Sequence, residues 1–239
     1  MLSKTKAIVL SKIKYKESDL IVKCYTLEYG VLSFLVRGVL KSRKSSIKAA
    51  YFLPLSQLEI VFNYSQNKAL LYFKEVKPYS IYTSLQLNIL KSTVALFLSE
   101  ILTTTLKEEE KNEALFFFLE TSFQWFDTEK ECANFHLAFL LQLTKYLGFY
   151  PDAHHQELSA FNLYDGCFEM KSSGKYSLTG ENLILLKRLL GTTFDALNTI
   201  KINASQRQSF LNVILLYFEL HLDGFRKPKS QQILNQVFN

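Results

Sequence analysis

Cysteine is scarce in this chain: three in 239 residues, at Cys24, Cys132 and Cys167. They are too far apart for a paired zinc-ligand spacing and too few for a disulfide framework. That excludes the small disulfide-stapled secreted scaffolds and fits a reducing cytosol. Long apolar runs are lacking as well. The N-terminal run Ala7–Leu10 is too short for a signal peptide, and no segment approaches the roughly 18–20 apolar residues of a membrane-spanning helix. A cytoplasmic protein with no membrane association is therefore expected. Internal repeats and low-complexity tracts are absent too.

Catalytic motifs are the next thing missing. No Walker glycine loop and no GxGxxG occurs, and neither Cys-x-x-Cys nor His-Glu-x-x-His supports a metal site. His154 and His155 are adjacent, and adjacent side chains diverge on most backbones. His136 and His221 lie in apolar helical stretches and read as partly buried structural residues. Glu108–Glu110 reads as a solvated helix end, Cys24 as core and Phe116-Phe117-Phe118 as bundle core. No paired titratable cluster points to an enzyme, and no cofactor is implied.

The first third of the chain has little acid. Residues 1–80 hold 14 Lys and Arg against five acids, Glu17, Asp19, Glu28, Glu59 and Glu75, a net of +9. The rest holds 14 basic and 17 acidic residues, a net of −3, so all of the overall +6 comes from that first third. Such asymmetry places an anion-facing surface on one domain only. It is densest after the strand pattern Val31–Arg37. There Arg37, Lys41, Arg43, Lys44 and Lys48 fall together with no acid between them, and Ser42, Ser45 and Ser46 add small hydroxyls. A cationic loop hung from a strand suits a phosphate backbone, because counterion release favours binding whatever the base sequence. Lys12, Lys14, Lys16 and Lys23 extend the candidate DNA-binding set, with Tyr15, Tyr25 and Phe34 interleaved as candidate stacking rings.

With 48% hydrophobic and 14% aromatic residues, the chain can build one large domain or two small ones. Partial alternation over 5–14 and 20–27, the segment 31–37, and the runs Gln57–Asn63 and Ala69–Val76 predict five short strands in about 75 residues. That is the size of an OB-fold, although an SH3-like barrel has similar statistics. Pro78 marks the change to helical spacing. Tyr82–Leu106, Ala114–Phe126 and Ala133–Leu147 are predicted helices, with Asp127, Thr128 and Glu131 as a capping sequence for the third and Gly148-Phe149-Tyr150-Pro151 as its stop. Residues 156–180 break the pattern and predict two or three short strands with turns at Asp165-Gly166 and Ser173-Gly174. Helices over Glu181–Leu190, capped by Thr179, over Ala204–Leu222, and after Pro228 to Val237 complete the chain. The fold class is α+β, with an OB-fold domain over 1–79 and a helical domain over 80–239 carrying a β insertion at about 156–180.

The order of these features resembles the RecO family of bacterial DNA repair and recombination mediators. The resemblance rests on Tyr15-Lys16-Glu17-Ser18-Asp19-Leu20-Ile21-Val22, on Gly30 to Gly38 with its basic loop, and on Phe52-Leu53-Pro54-Leu55 before Leu58-Glu59. Tyr146-Leu147-Gly148-Phe149-Tyr150-Pro151-Asp152, His221-Leu222 and Pro228-Lys229-Ser230 continue it, so it spans nearly the whole chain. It implies a non-enzymatic protein that binds single- and double-stranded DNA and anneals complementary strands. It further implies cooperation with RecR and with the C-terminal tail of single-stranded DNA-binding protein, and through them the loading of RecA at gaps. Many family members carry a four-cysteine zinc site after the Gly-Tyr-x-Pro landmark; here that region holds only Cys167, so no metal is expected. The residues by themselves also accommodate an OB-fold RNA-binding or translation-associated adaptor, which a preference for RNA over DNA would distinguish.

Overall fold

A computed structural model describes residues 1–41, 47–106, 110–130, 132–172 and 174–238. Ser42, Arg43, Lys44, Ser45, Ser46, Glu108, Glu109, Glu131 and Ser173, named in the expectations above, lie outside the described residues. The chain is α+β and forms two compact units, Met1–Thr128 with Pro228–Val237, and Glu129–Lys227 with Phe238.

Five antiparallel strands open the first unit: β1 (Leu2–Tyr15), β2 (Asp19–Thr26), β3 (Gly30–Val36), β4 (Gln57–Asn63) and β5 (Phe73–Ser80), in sheet order β3-β2-β1-β4-β5. The outer strand β3 meets the segment just ahead of β5 through a parallel bridge between Phe34 and Leu71. There Leu35 N–H donates to the Leu71 carbonyl, and Leu71 N–H to the Ser33 carbonyl, each at 2.9 Å. This closes the sheet into the five-stranded barrel of an OB-fold. Its interior is filled by alternate residues of each strand, among them Ala7, Val9, Val22, Phe34, Leu58, Ile60 and Phe62. Burying each large side chain of this kind contributes about 1.5–3 kcal/mol. Cys24 is part of this core, as expected, and its burial raises the thiol pKa.

The fifth strand begins later than the periodicity predicts, at Phe73 rather than Ala69, because Leu71 is taken up by the closing bridge. Pro78 sits inside β5 opposite Leu58 instead of ahead of a helix. A proline is tolerated there because β5 pairs along one side only at that point.

The outer face of β1 is covered where Ile8 and Leu10 are buried. Helix α1 (Ile89–Thr105) packs on β1, with the Thr103 hydroxyl donating to the Leu10 carbonyl at 3.3 Å. Helix α2 (Glu113–Thr128) buries Phe116, Leu119 and Phe123 and leaves Phe117 45% exposed, so only part of the triple-phenylalanine run is core. Gln57 Nε2 donates to the Glu120 carbonyl at 2.8 Å, and Lys6 pairs with the Glu120 carboxylate at 2.8 Å.

Two helix predictions are corrected. The helix expected from Tyr82 begins only at Ile89, capped by Asn88, whose side chain accepts from the Leu90 and Lys91 N–H groups. Ahead of it, the N–H groups of Thr83, Ser84 and Leu85 all donate to the Asp127 carboxylate at 2.6–2.8 Å. Those donors are satisfied by a distant residue, so the segment has no need of a helical turn. For the same reason Asp127 and Thr128 do not start the third helix. They are the last residues of α2, and α3 (Phe135–Tyr146) has Asn134 at its N-cap.

The second unit holds α3, a small sheet of β6 (Ala160–Asn162), β7 (Cys167–Glu169) and β8 (Ser177–Leu178) in order β7-β6-β8, then α4 (Gly180–Leu189) and α5 (Ala204–His221). Thr179 stands at the N-cap of α4 as expected but makes no side-chain capping bond, whereas Asn203 and Gln206 form a full capping box on α5. Gly148, beyond the end of α3, takes φ +86°, the left-handed conformation that ends helices cheaply only at glycine. The short α6 (Gln231–Val237) belongs to the first unit: it packs on α1, and Ser230 N–H donates to Glu100 Oε2 at 3.1 Å.

Candidate nucleic-acid interface

The geometry of the basic residues is set by one irregularity in β1. Val9 lies opposite Cys24, but Ser11 lies opposite Lys23, so Leu10 is an extra residue on β1. A bulge of this kind exchanges the faces of the strand beyond it. Before Leu10, odd-numbered residues face the barrel interior; after it, Lys12 lies opposite Val22 and Lys14 opposite Leu20, both core residues of β2. Lys12 and Lys14 therefore continue the interior row past the packed barrel, where both are exposed. Lost solvent around the Lys12 ammonium lowers its pKa below the ordinary lysine value.

Lys23 belongs to the other face, in a cross-strand row with Ser11 and Ser33. Ile13, 63% exposed, and Tyr15 share that outer parity. The structure thus brings Lys12 and Lys14 together and separates them from Lys23.

Lys16 sits in the β1–β2 turn with φ +53° and its ammonium 5.5 Å from the centre of the Tyr15 ring. Beyond β3 the chain is fastened to this turn. Gly38 N–H donates to Asp19 Oδ1 at 2.8 Å, Leu40 N–H donates to the Ser18 carbonyl at 3.0 Å, and Lys41 pairs with Glu17 at 2.7 Å. Gly38, at φ +64°, makes the bend. The Lys41–Glu17 pair is exposed on both sides, and such pairs contribute at most about 1 kcal/mol. A phosphate can therefore displace Glu17 at little cost. Lys48 is exposed at the entry to the 3-10 turn Ala49–Phe52.

Arg37 has a partner that the sequence did not single out. Its Nη2 donates to the Tyr72 hydroxyl at 3.0 Å and its guanidinium lies 5.0 Å from the Tyr72 ring centre. Tyr72 is 45% exposed, next to the closing residue Leu71. Of the rings expected to interleave with the cations, Tyr15 is exposed, but Tyr25 and Phe34 are not available. Phe34 is fully buried in the barrel, and Tyr25 packs on Phe116 with its hydroxyl donating to the Asn112 carbonyl, its pKa raised by burial to about 12. Nothing in the local pattern distinguished Tyr72 from these two; only the closure of the barrel decides which ring faces outward.

No helix among the described residues is long and apolar enough to cross a membrane. The residues after Pro151 do not fit a zinc ion. His154 Nδ1 donates to Asp152 at 2.6 Å and His155 Nδ1 to Glu157 at 3.2 Å, and among the described residues no group of three His, Cys, Asp or Glu could hold a metal. The neighbouring sheet is held by rings instead. Phe161 packs on Phe168 at 5.0 Å, and Phe149 stacks on His221 at 5.4 Å, while His221 Nε2 bonds to the Leu163 carbonyl. Gly166 permits the closest approach, since a Cβ there would fall 2.8 Å from the Tyr217 hydroxyl.

Comparison with known proteins bears on both parts of the chain. A family model described as the N-terminal part of recombination protein O matches residues 1–82, and one described as its C-terminal part matches residues 86–231. The chain belongs to the RecO family. It is 50% identical to the DNA repair protein RecO of Christiangramia forsetii over the full length of both chains. It is 46% identical to that of Flavobacterium psychrophilum over 99% of each, and 35% identical to that of Bacteroides fragilis over the full length of both. The RecO N-terminal match spans the whole barrel with its bulged β1–β2 hairpin, and the C-terminal match runs from just before α1 into α6.

Proposed function

We propose that this RecO-family chain is a non-enzymatic mediator of DNA repair and recombination. It binds single- and double-stranded DNA, anneals complementary strands, and helps load RecA at gaps together with RecR. The observation that carries this reading is the cationic end of the barrel in a chain of this family. Lys12 and Lys14 share one face there, Lys16 and Arg37 lie against the exposed rings of Tyr15 and Tyr72, and Lys41 is exposed beside them; in sequence Arg43, Lys44 and Lys48 follow. Cations interleaved with exposed rings give a strand both phosphate contacts and stacking surfaces, without reading its sequence.

The reading includes a second partner, the acidic tail of single-stranded DNA-binding protein, bound by the helical domain over 80–239. Of the candidate cations Lys145, Lys187 and Arg188, Lys145 and Arg188 are exposed, and Lys187 donates to the Leu158 carbonyl at 2.7 Å. The deciding experiment is annealing of complementary oligonucleotides by the purified chain, with and without single-stranded DNA-binding protein and its tail-less form. Faster annealing that depends on the tail supports the reading. No acceleration over the spontaneous rate at low salt overturns it.

A further inference from the structure

The small sheet of the second unit carries a cleft of about 330 Å³ that the reading above does not use. It is lined by Asn162, Tyr164, Gly174, Lys175, Tyr176 and Ser177. The pairing of β6 with β8 builds it. Asn162 lies opposite Ser177, and Leu163 N–H donates to the Tyr176 carbonyl at 2.9 Å, so Tyr164 and Tyr176 emerge side by side. Their rings are inclined by only 20° with centroids 6.3 Å apart, and Tyr164 is 63% exposed. Lys175 holds its ammonium 5.2 Å from the centre of the Tyr176 ring.

Hydrogen bonding narrows what such a cleft can recognise. Asn162 Oδ1 accepts from the N–H groups of Tyr164 and Asp165, and Asn162 Nδ2 donates to Asp165 Oδ2 at 2.7 Å. The Ser177 hydroxyl donates to Glu169 Oε1 at 2.5 Å. The Asn162 and Ser177 side chains are thus committed within the sheet. What the lining leaves for a ligand is two ring faces with their phenol hydroxyls and one ammonium group. A planar base joined to a phosphate suits this set, since the ring faces take the base and the cation takes the phosphate. The aromatic packing that holds the sheet together is elsewhere, between Phe161 and Phe168, so the tyrosine pair is not needed as core.

We propose that this cleft is a second contact for single-stranded nucleic acid, in which an unpaired base lies against Tyr164 and Tyr176 and Lys175 meets the adjoining phosphate. The proposal rests on the DNA-binding reading above. Stacking without edge contacts accepts every base. The one phosphate contact at Lys175 adds roughly 0.7 to the log–log salt slope on single strands.

The test uses the full chain and an oligothymidylate carrying 5-iodouracil, irradiated and then digested. The expected crosslinks fall on peptides containing Tyr164 or Tyr176. Replacing both tyrosines by alanine is expected to remove these crosslinks and to weaken oligonucleotide binding roughly fivefold or more, whereas replacing both by phenylalanine keeps the rings and keeps binding. Tyr164→Ala alone, at a mostly exposed position, tests the point should the double variant fail to fold. A chain that binds the oligonucleotide without crosslinks over 160–178, and whose alanine variants bind like wild type, overturns this inference and leaves the DNA-binding reading intact. A wild-type chain that binds no oligonucleotide at low salt overturns both.

Discussion

The Arg37 guanidinium lies on the ring of Tyr72 and donates to its hydroxyl at 3.0 Å, across the point where the barrel closes. A cation held over an exposed ring is ready for a base on the ring and a phosphate beside it. Tyr72→Ala is therefore expected to weaken single-strand binding by about 1–3 kcal/mol, and Tyr72→Phe by much less. Arg37→Glu is expected to lower the log–log salt slope by roughly 0.7. Fluorescence anisotropy with a labelled oligonucleotide across a salt series reads both, and equal affinities for the alanine and phenylalanine variants would exclude stacking at this position.

Reversing Lys41, Arg43 and Lys44 to Glu is expected to weaken DNA binding for every sequence alike. The salt slope should fall by roughly 0.7 per lost contact on single strands. Stability is expected to change by no more than about 0.5 kcal/mol. An unchanged slope in a variant with wild-type circular dichroism would move the interface to Lys12, Lys14 and Lys16 or, on the other face of the hairpin, to Lys23.

Asp127 is expected to be worth more to folding than any surface cation. Its carboxylate accepts three backbone N–H groups, while Lys91 Nζ donates to its carbonyl at 2.7 Å and to the Ser84 hydroxyl at 2.6 Å. Backbone N–H bonds hold its pKa below the usual carboxylate value, against the opposing effect of burial. Asp127→Ala should cost about 2–4 kcal/mol, since buried donors lose their acceptor. Asp127→Asn should cost nearly as much, because one oxygen becomes a donor facing donors. Urea denaturation checks both values, and an asparagine variant as stable as wild type would contradict the geometry.

His136 predicts an acid limit to stability. It is 1% exposed, and burial together with the nearby Arg207 charge pushes its pKa from 6.5 down to about 3. The folded state therefore holds the neutral ring while the unfolded chain protonates near 6.5. The resulting stability is fully present above that pH and is lost as pH falls from there toward 3, on the order of a few kcal/mol in all. Denaturant midpoints measured from pH 7 to pH 4 should decline accordingly, and less steeply in His136→Leu. The same slope in both proteins would assign the loss to other groups.

Zinc is expected to be absent from the purified chain at stoichiometric level. A structural tetrahedral site needs four ligands that the described residues after Pro151 do not assemble. Elemental analysis after chelator treatment checks this, and about one zinc per chain would refute it.

Much of this protein was decided by sequence alone. Alternation placed β4 at Gln57–Asn63, because one face of that strand is buried and the other is not. Helical spacing placed α5, and Asp165-Gly166 marked a turn in the β insertion. The concentration of positive charge in the first 80 residues is likewise a property of composition, independent of folding. What tertiary structure decided is which side chains face water and which distant groups satisfy the backbone. The bulge at Leu10 turned Lys12 and Lys14 away from Lys23, and barrel closure at Leu71 exposed Tyr72 while burying Phe34. Asp127, more than 40 positions along the chain, replaced a predicted helical turn at Thr83–Leu85. Each of these depends on a partner remote in sequence, and a local period carries no record of such a partner.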